Sequence, residues 1–214
     1  MRPPRLSLVV AGLFAAMAAA CSSAVHSTQT SVQAGRASAM TPAEQARADS
    51  GRMPFTAADV HFMQGMIHHH AQAVVMAGWA QTHDARPDVK VLAQRIDVAQ
   101  RDEMAFMQRW LRERHQEVPD PMEHYQMGMG AMEMMPGMLT PEQMKQLDGA
   151  HGPEFDRLFL TFMIQHHQGA ITMVDQLFSS PGAGQELYVF RFASDVNADQ
   201  TTEIDRMRLM LGDK

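Results

Sequence analysis

The chain contains one unit twice. Met66-Ile67-His68-His69-His70-Ala71-Gln72-Ala73 returns as Met163-Ile164-Gln165-His166-His167-Gln168-Gly169-Ala170, an offset of 97 residues. The same offset carries Asp59 to Asp156, Phe62 to Phe159 and Met76 to Met173. Further along, Gln100, Glu103, Met107 and Leu111 match Gln200, Glu203, Met207 and Leu211 at an offset of 100, so an intervening loop differs by three residues. Such self-similarity constrains the fold more than any local propensity. Each copy must be one supersecondary unit that buries its apolar face against its neighbour.

Each copy reads as a helical hairpin. Phe62, Met66, His69, Ala73 and Met76 follow i, i+4, i+7 spacing and line one helix face, with Thr56 or Asp59 placed to cap its start. The breaker His83-Asp84-Ala85-Arg86-Pro87-Asp88 ends that helix. A second runs from about Pro87 to His115 with Leu92, Ile96, Ala99, Glu103, Phe106 and Trp110 in one stripe. In the other copy Asp156 to Phe178 forms the first helix and Ser180-Pro181-Gly182-Ala183-Gly184 the break. Glu186 to Leu211 is its partner, with Phe192, Val196, Gln200, Glu203 and Met207 aligned. Two such hairpins close most simply into an all-α four-helix bundle. Copy one is residues 56–115, copy two 155–212, and the proline- and glycine-rich segment 118–152 is a long crossover, within a domain spanning 53–214.

Residues 1–21 read as an export signal: Arg2 and Arg5, an apolar run from Leu6 to Ala20, then Cys21. The run is short for a bilayer span, which takes roughly 20 residues. Ala18-Ala19-Ala20-Cys21 resembles a bacterial lipobox, with Cys21 as the lipidated residue, and ordinary cleavage after Ala20 is the alternative. Cys21 is the only cysteine, so no intrachain disulfide forms. Residues 22–52, rich in Ser, Thr, Ala, Gln and Gly, read as a flexible tether. The chain is expected in the cell envelope, periplasmic or otherwise extracytoplasmic, touching the membrane through the anchor only. Signal removal takes two arginines from a chain of net charge −6, leaving −8. With no Lys/Arg-rich stripe, nucleic acid is excluded as a partner.

The His pairs carry the chemistry. A single histidine on an apolar helix face is usually a core residue with a hydrogen-bond partner. Two adjacent histidines recurring in both halves ask for more, because four buried imidazoles cost free energy unless each finds a partner. A metal ion supplies one. Neighbours on a helix stand about 100° apart, so His69 and His70, and His166 and His167, can all reach the bundle interior or its edge. Di-iron bundles use Glu-x-x-His; here Met66 and Met163 stand three residues before His69 and His166. Met76 and Met173 follow seven residues after, and the second helices add one carboxylate each, Glu103 and Glu203. Thioether with imidazole favours copper, Cu(I) over Cu(II), above iron, manganese or magnesium.

Methionine is abundant, 21 residues in 214. Helical methionines usually pack, and Met104, Met107 and Met210 fit that role. The connector run Met127, Met129, Met132, Met134, Met135 and Met138 keeps no helical or strand period. It reads as a copper-capturing segment, with a partner-docking surface as the rival and with His124 and His151 flanking. His83-Asp84 lies in an interhelical turn and reads as solvated.

The repeated M-I-x-H-H-x-x-A-x-x-M followed by Q-x-x-E-x-x-x-M resembles the DUF305 family over residues 56–115 and 155–212. The resemblance implies a ferritin-like helical fold, and its members include exported copper-binding proteins linked to copper tolerance. It carries the His-His positions to His69, His70, His166 and His167, the methionines to Met66, Met76, Met163 and Met173, and the glutamates to Glu103 and Glu203. His68 departs from the second copy's Gln165 and extends the first site with a third histidine. The expected function is non-catalytic binding, buffering or transfer of copper, with a copper-handling protein as a possible partner. A ferritin-like metal oxidase and a metal-free helical interaction module are the alternatives.

Overall fold

Thr56 opens the first helix with a reciprocal cap. Its hydroxyl accepts from the Asp59 N–H at 3.2 Å, while the Asp59 carboxylate accepts from the Thr56 N–H at 2.7 Å. Both residues expected at this start take part, as a capping box. The computed structural model describes Thr41 and residues 54–122 and 135–212. Its helices are α1 Ala57–Trp79, α2 Pro87–Glu113, α3 Pro141–Asp148, α4 Gly152–Ser179 and α5 Leu187–Leu211, so the described fold is all-α. Among the described residues no helix is long and apolar enough to cross a membrane. The expected signal 1–21 with Cys21, the tether 22–52 apart from Thr41, and Met127, Met129, Met132, Met134 and His124 lie outside the described residues.

The hairpins form as expected, with two differences. Helix α4 starts at Gly152 rather than Asp156, because Pro153 sits in the first turn, where its missing N–H costs nothing. The crossover also carries a helix of its own, α3. Thr140 accepts from the Gln143 N–H at 3.2 Å, Gln143 accepts from the Thr140 N–H at 2.9 Å, and Pro141 follows the cap.

Helix α1 packs on α2 and α4 on α5; the hairpins meet through α1 against α4, and α3 rests on both inner helices. The apolar interior is divided in two. One half-core gathers Met76, Leu92, Ile96, Phe155, Phe159, Met163 and Met207 near the turn of hairpin one. The other gathers Phe62, Met66, Met107, Trp110, Val174, Phe192 and Val196 near the turn of hairpin two. Between them lies a buried polar layer of His69, His70, Gln100, His166, His167 and Gln200.

Each inner helix is also latched to the other hairpin's turn. Asp59 of α1 accepts from the Gly184 N–H at 2.7 Å, and its repeat mate Asp156 of α4 accepts from the Arg86 N–H at 3.1 Å.

Candidate metal centre

Adjacent side chains diverge by about 100° around a helix, so each His-His pair serves two directions. The second member points to the partner helix. His70 Nε2–H donates to Glu103 Oε2 at 2.7 Å, and His167 Nε2–H donates to Glu203 Oε2 at 2.8 Å. The first member points across the bundle: the His69 and His166 rings meet at a centroid distance of 3.9 Å, tilted by 40° to one another. His166 Nε2–H donates to the His69 carbonyl at 2.9 Å, and His69 Nε2–H donates to the Pro136 carbonyl at 3.0 Å.

All four acceptors are carbonyl or carboxylate oxygens, which cannot donate, so each Nε2 carries a hydrogen. In its neutral form every ring therefore leaves Nδ1 bare. The Nδ1 atoms of His69, His70, His166 and His167 are all buried without a hydrogen-bond partner. Burial, with the nearby His70 charge second, lowers the His69 pKa to about 3. Burial, then His69, pushes His166 well below its ordinary value. A buried acceptor left unpaired costs about 1–3 kcal/mol, and a cation is the partner that would relieve it. The donor set thus fits a metal with a preference for imidazole. Among the described residues, no three His, Cys, Asp or Glu side chains are already gathered as an ion cage.

At the layer's rim, Glu103 and Glu203 are 20% and 23% exposed. Three residues before each, Gln100 and Gln200 bury amide atoms that also lack partners. Partial burial first, and then the charges of Glu103 and Glu203, raise the Asp199 carboxyl above its ordinary value. Gln100 and Gln200 are site residues that residue-type reasoning passed over, although the repeat marks both.

The methionines divide. Met66, Met76 and Met163 are fully buried among apolar side chains of the two half-cores. Met173 and the half-buried Met135 line a cavity together with His68. Met138 is buried at the end of the connector, not on an open capturing segment.

The residues around Met138 form a strap, 135–140, clamped to both inner helices. Gln72 donates to the Leu139 carbonyl at 3.0 Å and accepts from the Leu139 N–H at 2.8 Å. Gln165 of α4 donates to the Gly137 carbonyl at 3.4 Å. Gly169 lets the strap approach, since a Cβ there would run into the Pro136 carbonyl and Gly137. This clamp, which holds the acceptor for His69, was not anticipated. His83 also differs from expectation. It is buried, reaching the Asp148 carbonyl at 2.8 Å through Nε2, and the exposed His151 stacks on it at 4.8 Å.

The family model described as "Domain of unknown function (DUF305)" matches residues 59–211. A crystal structure of a DUF305 fragment from Deinococcus radiodurans is 31% identical with a TM-score of 0.61, covering 75% of this chain and 99% of that one. A DUF305 protein from Streptomyces coelicolor, described as secreted, is 29% identical with a TM-score of 0.61, covering 72% and 92%. CopM in its Cu(II)-bound form is 28% identical with a TM-score of 0.57, covering 71% of this chain and 94% of that one. Other structures of CopM are Cu(I)-bound and Ag-bound. No curated protein matches the chain.

Proposed function

We propose, from the premise that this chain belongs to the DUF305 family, that it is an exported copper-binding protein, buffering the ion or handing it on without chemistry of its own. One observation carries this reading. Four buried imidazoles in one layer have each committed Nε2–H to an oxygen, and each keeps an unpartnered Nδ1. His69, His70, His166 and His167 are the ligands of this reading. Glu103 and Glu203 fix the tautomer and orientation of His70 and His167, as carboxylates do behind metal-bound histidines. The similarity to CopM, whose structures hold Cu(I), Cu(II) and Ag, supports copper as the ion. The similarity to a DUF305 protein described as secreted supports export. Anchoring at Cys21 and delivery to a copper-handling protein complete the proposal.

The test is a copper titration of the mature protein. A variant with His69, His70, His166 and His167 changed to Ala should lose the tight ion, and an unchanged affinity would overturn the ligand assignment. Loading with iron or copper in the presence of dioxygen should give no turnover. Sustained oxygen consumption would replace the binding role with that of an oxidase.

A further inference from the structure

Among the described residues, the strap covers only part of the face that α1 and α4 present on the connector side. Beside it, the face is open as a cavity of about 780 Å³, lined among others by His61, Gly65, His68, Glu117, Met135 and Met173. A Cβ placed on Gly65 would stand 3.4 Å from Met135 Sδ and 3.4 Å from Met173 Cε, so the two thioether heads converge over this glycine. His68 follows Gly65 by three residues and His61 precedes it by four, which puts both imidazoles on the same side of α1.

The repeat shows what makes the space. Gly65 stands where copy two has the buried Phe162, and His68 stands where copy two has Gln165. An aromatic ring at position 65 would fill the volume the two methionine heads occupy. Met66 and Met163 sit in the half-cores at zero exposure, and Met173 belongs to the second of them while also lining the cavity. Met135, by contrast, stays half-buried on the wall of an open, polar-rimmed cavity. Two thioethers with imidazole form a soft donor set, which selects a d10 monovalent cation over hard divalent ones.

We propose that this cavity is a second, solvent-reachable site for a soft monovalent cation, Cu(I) or Ag(I), distinct from the histidine layer. Met135, Met173 and His68 are its donors, and His61 stands exposed at its mouth. Pro136 links the two sites: it lines the cavity, and its carbonyl holds His69 Nε2–H. The ligand class rests on the copper reading above; the donors do not.

Ag(I), which has no redox chemistry to confuse the count, is the probe. Mass spectrometry and calorimetric titration of the mature protein should give at least one Ag(I) more than in the Met135→Leu/Met173→Leu variant. His68→Gln, which imports the copy-two residue, should weaken that same ion tenfold or more. Leucine keeps the methionine volume, and Gly65→Phe gives an independent way to fill the cavity. The quadruple His→Ala variant of the layer should keep the cavity ion. If that variant binds every ion as the parent does, the layer assignment fails and the cavity site stands. Unchanged Ag(I) binding in both cavity variants would overturn the proposal. So would loss of all ions together in cavity and layer variants, which would mean a single shared site.

Discussion

Helices α1 and α4 carry the same motif, yet only one of their two long faces follows the repeat. Toward α2 and α5 the copies agree: His70 meets Glu103 and His167 meets Glu203 at nearly equal distances. Toward the connector they part. Gly65 faces Phe162 in the repeat alignment, His68 faces Gln165, and Gln72 faces Gly169. The symmetric environment holds symmetric residues. The connector exists once, and each position beside it answers to local shape, with Gly169 making room for the strap and Gln72 gripping it. Even the central His69–His166 pair is affected, because His166 donates to the His69 carbonyl while His69 turns to Pro136 instead of returning the bond.

The hairpin turns offer the sharpest way to break this comparison. Glu186 caps α5 and, fully buried, holds Arg114 at 3.1 Å and Trp110 at 3.2 Å. Arg86 begins α2 with no side-chain cap. Glu186→Ala takes the buried carboxylate from a buried guanidinium, leaving it only the half-exposed Glu113 at 3.7 Å, and should cost about 3–5 kcal/mol in denaturant unfolding. Arg86→Ala should cost about 1 kcal/mol or less. Equal losses would show that the turns are energetically alike.

Gly169→Ala comes next, at about 1–3 kcal/mol from overpacking against Pro136. It should also speed hydrogen exchange at the Leu139 amide, which Gln72 now holds. A protected Leu139 amide in that variant would mean the strap does not need the glycine.

On the matched face, Glu103→Gln and Glu203→Gln should each weaken copper binding about 10- to 100-fold, by similar factors. A large inequality would place control of the layer with the strap rather than with the repeat.

A pH slope tests the histidine layer itself. His69 and His166 hold protons less well folded than unfolded, so the unfolded state binds more of them below about pH 6.5. Their contribution is complete above that pH and falls as pH drops toward the folded values, about 3 for His69. The loss should be about 1.4 kcal/mol per pH unit per ring. Metal-free protein unfolded in urea between pH 7 and pH 5 reports it, and a flat profile would show hydrated rings.

The hairpins and their pairing were legible because period and repeat pointed the same way. Helix α3 was legible too, in Thr140-Pro141-Glu142-Gln143, but prolines on either side made the segment look like plain connector. The methionines show a limit of face reasoning. Met76 shares a face with His69, yet at about 1.5 Å of rise per residue seven residues carry it about 10 Å along the axis, into the apolar half-core. The strap was not legible, since nothing local in Gln72 announces a partner 67 residues away. For the same reason His83, bonded to Asp148 across 65 residues, read as solvated.

The exchanged aspartate latches have a consequence for how the halves stand to one another. Asp59 reaches into the second hairpin's turn and Asp156 into the first's, and the His69 ring meets that of its own repeat mate. Residue i meets j and j meets i, which is the contact rule of an isologous two-fold interface. The chain is therefore arranged as two protomers of a homodimer would be, joined end to end. An isolated hairpin should find its missing half in a second copy of itself.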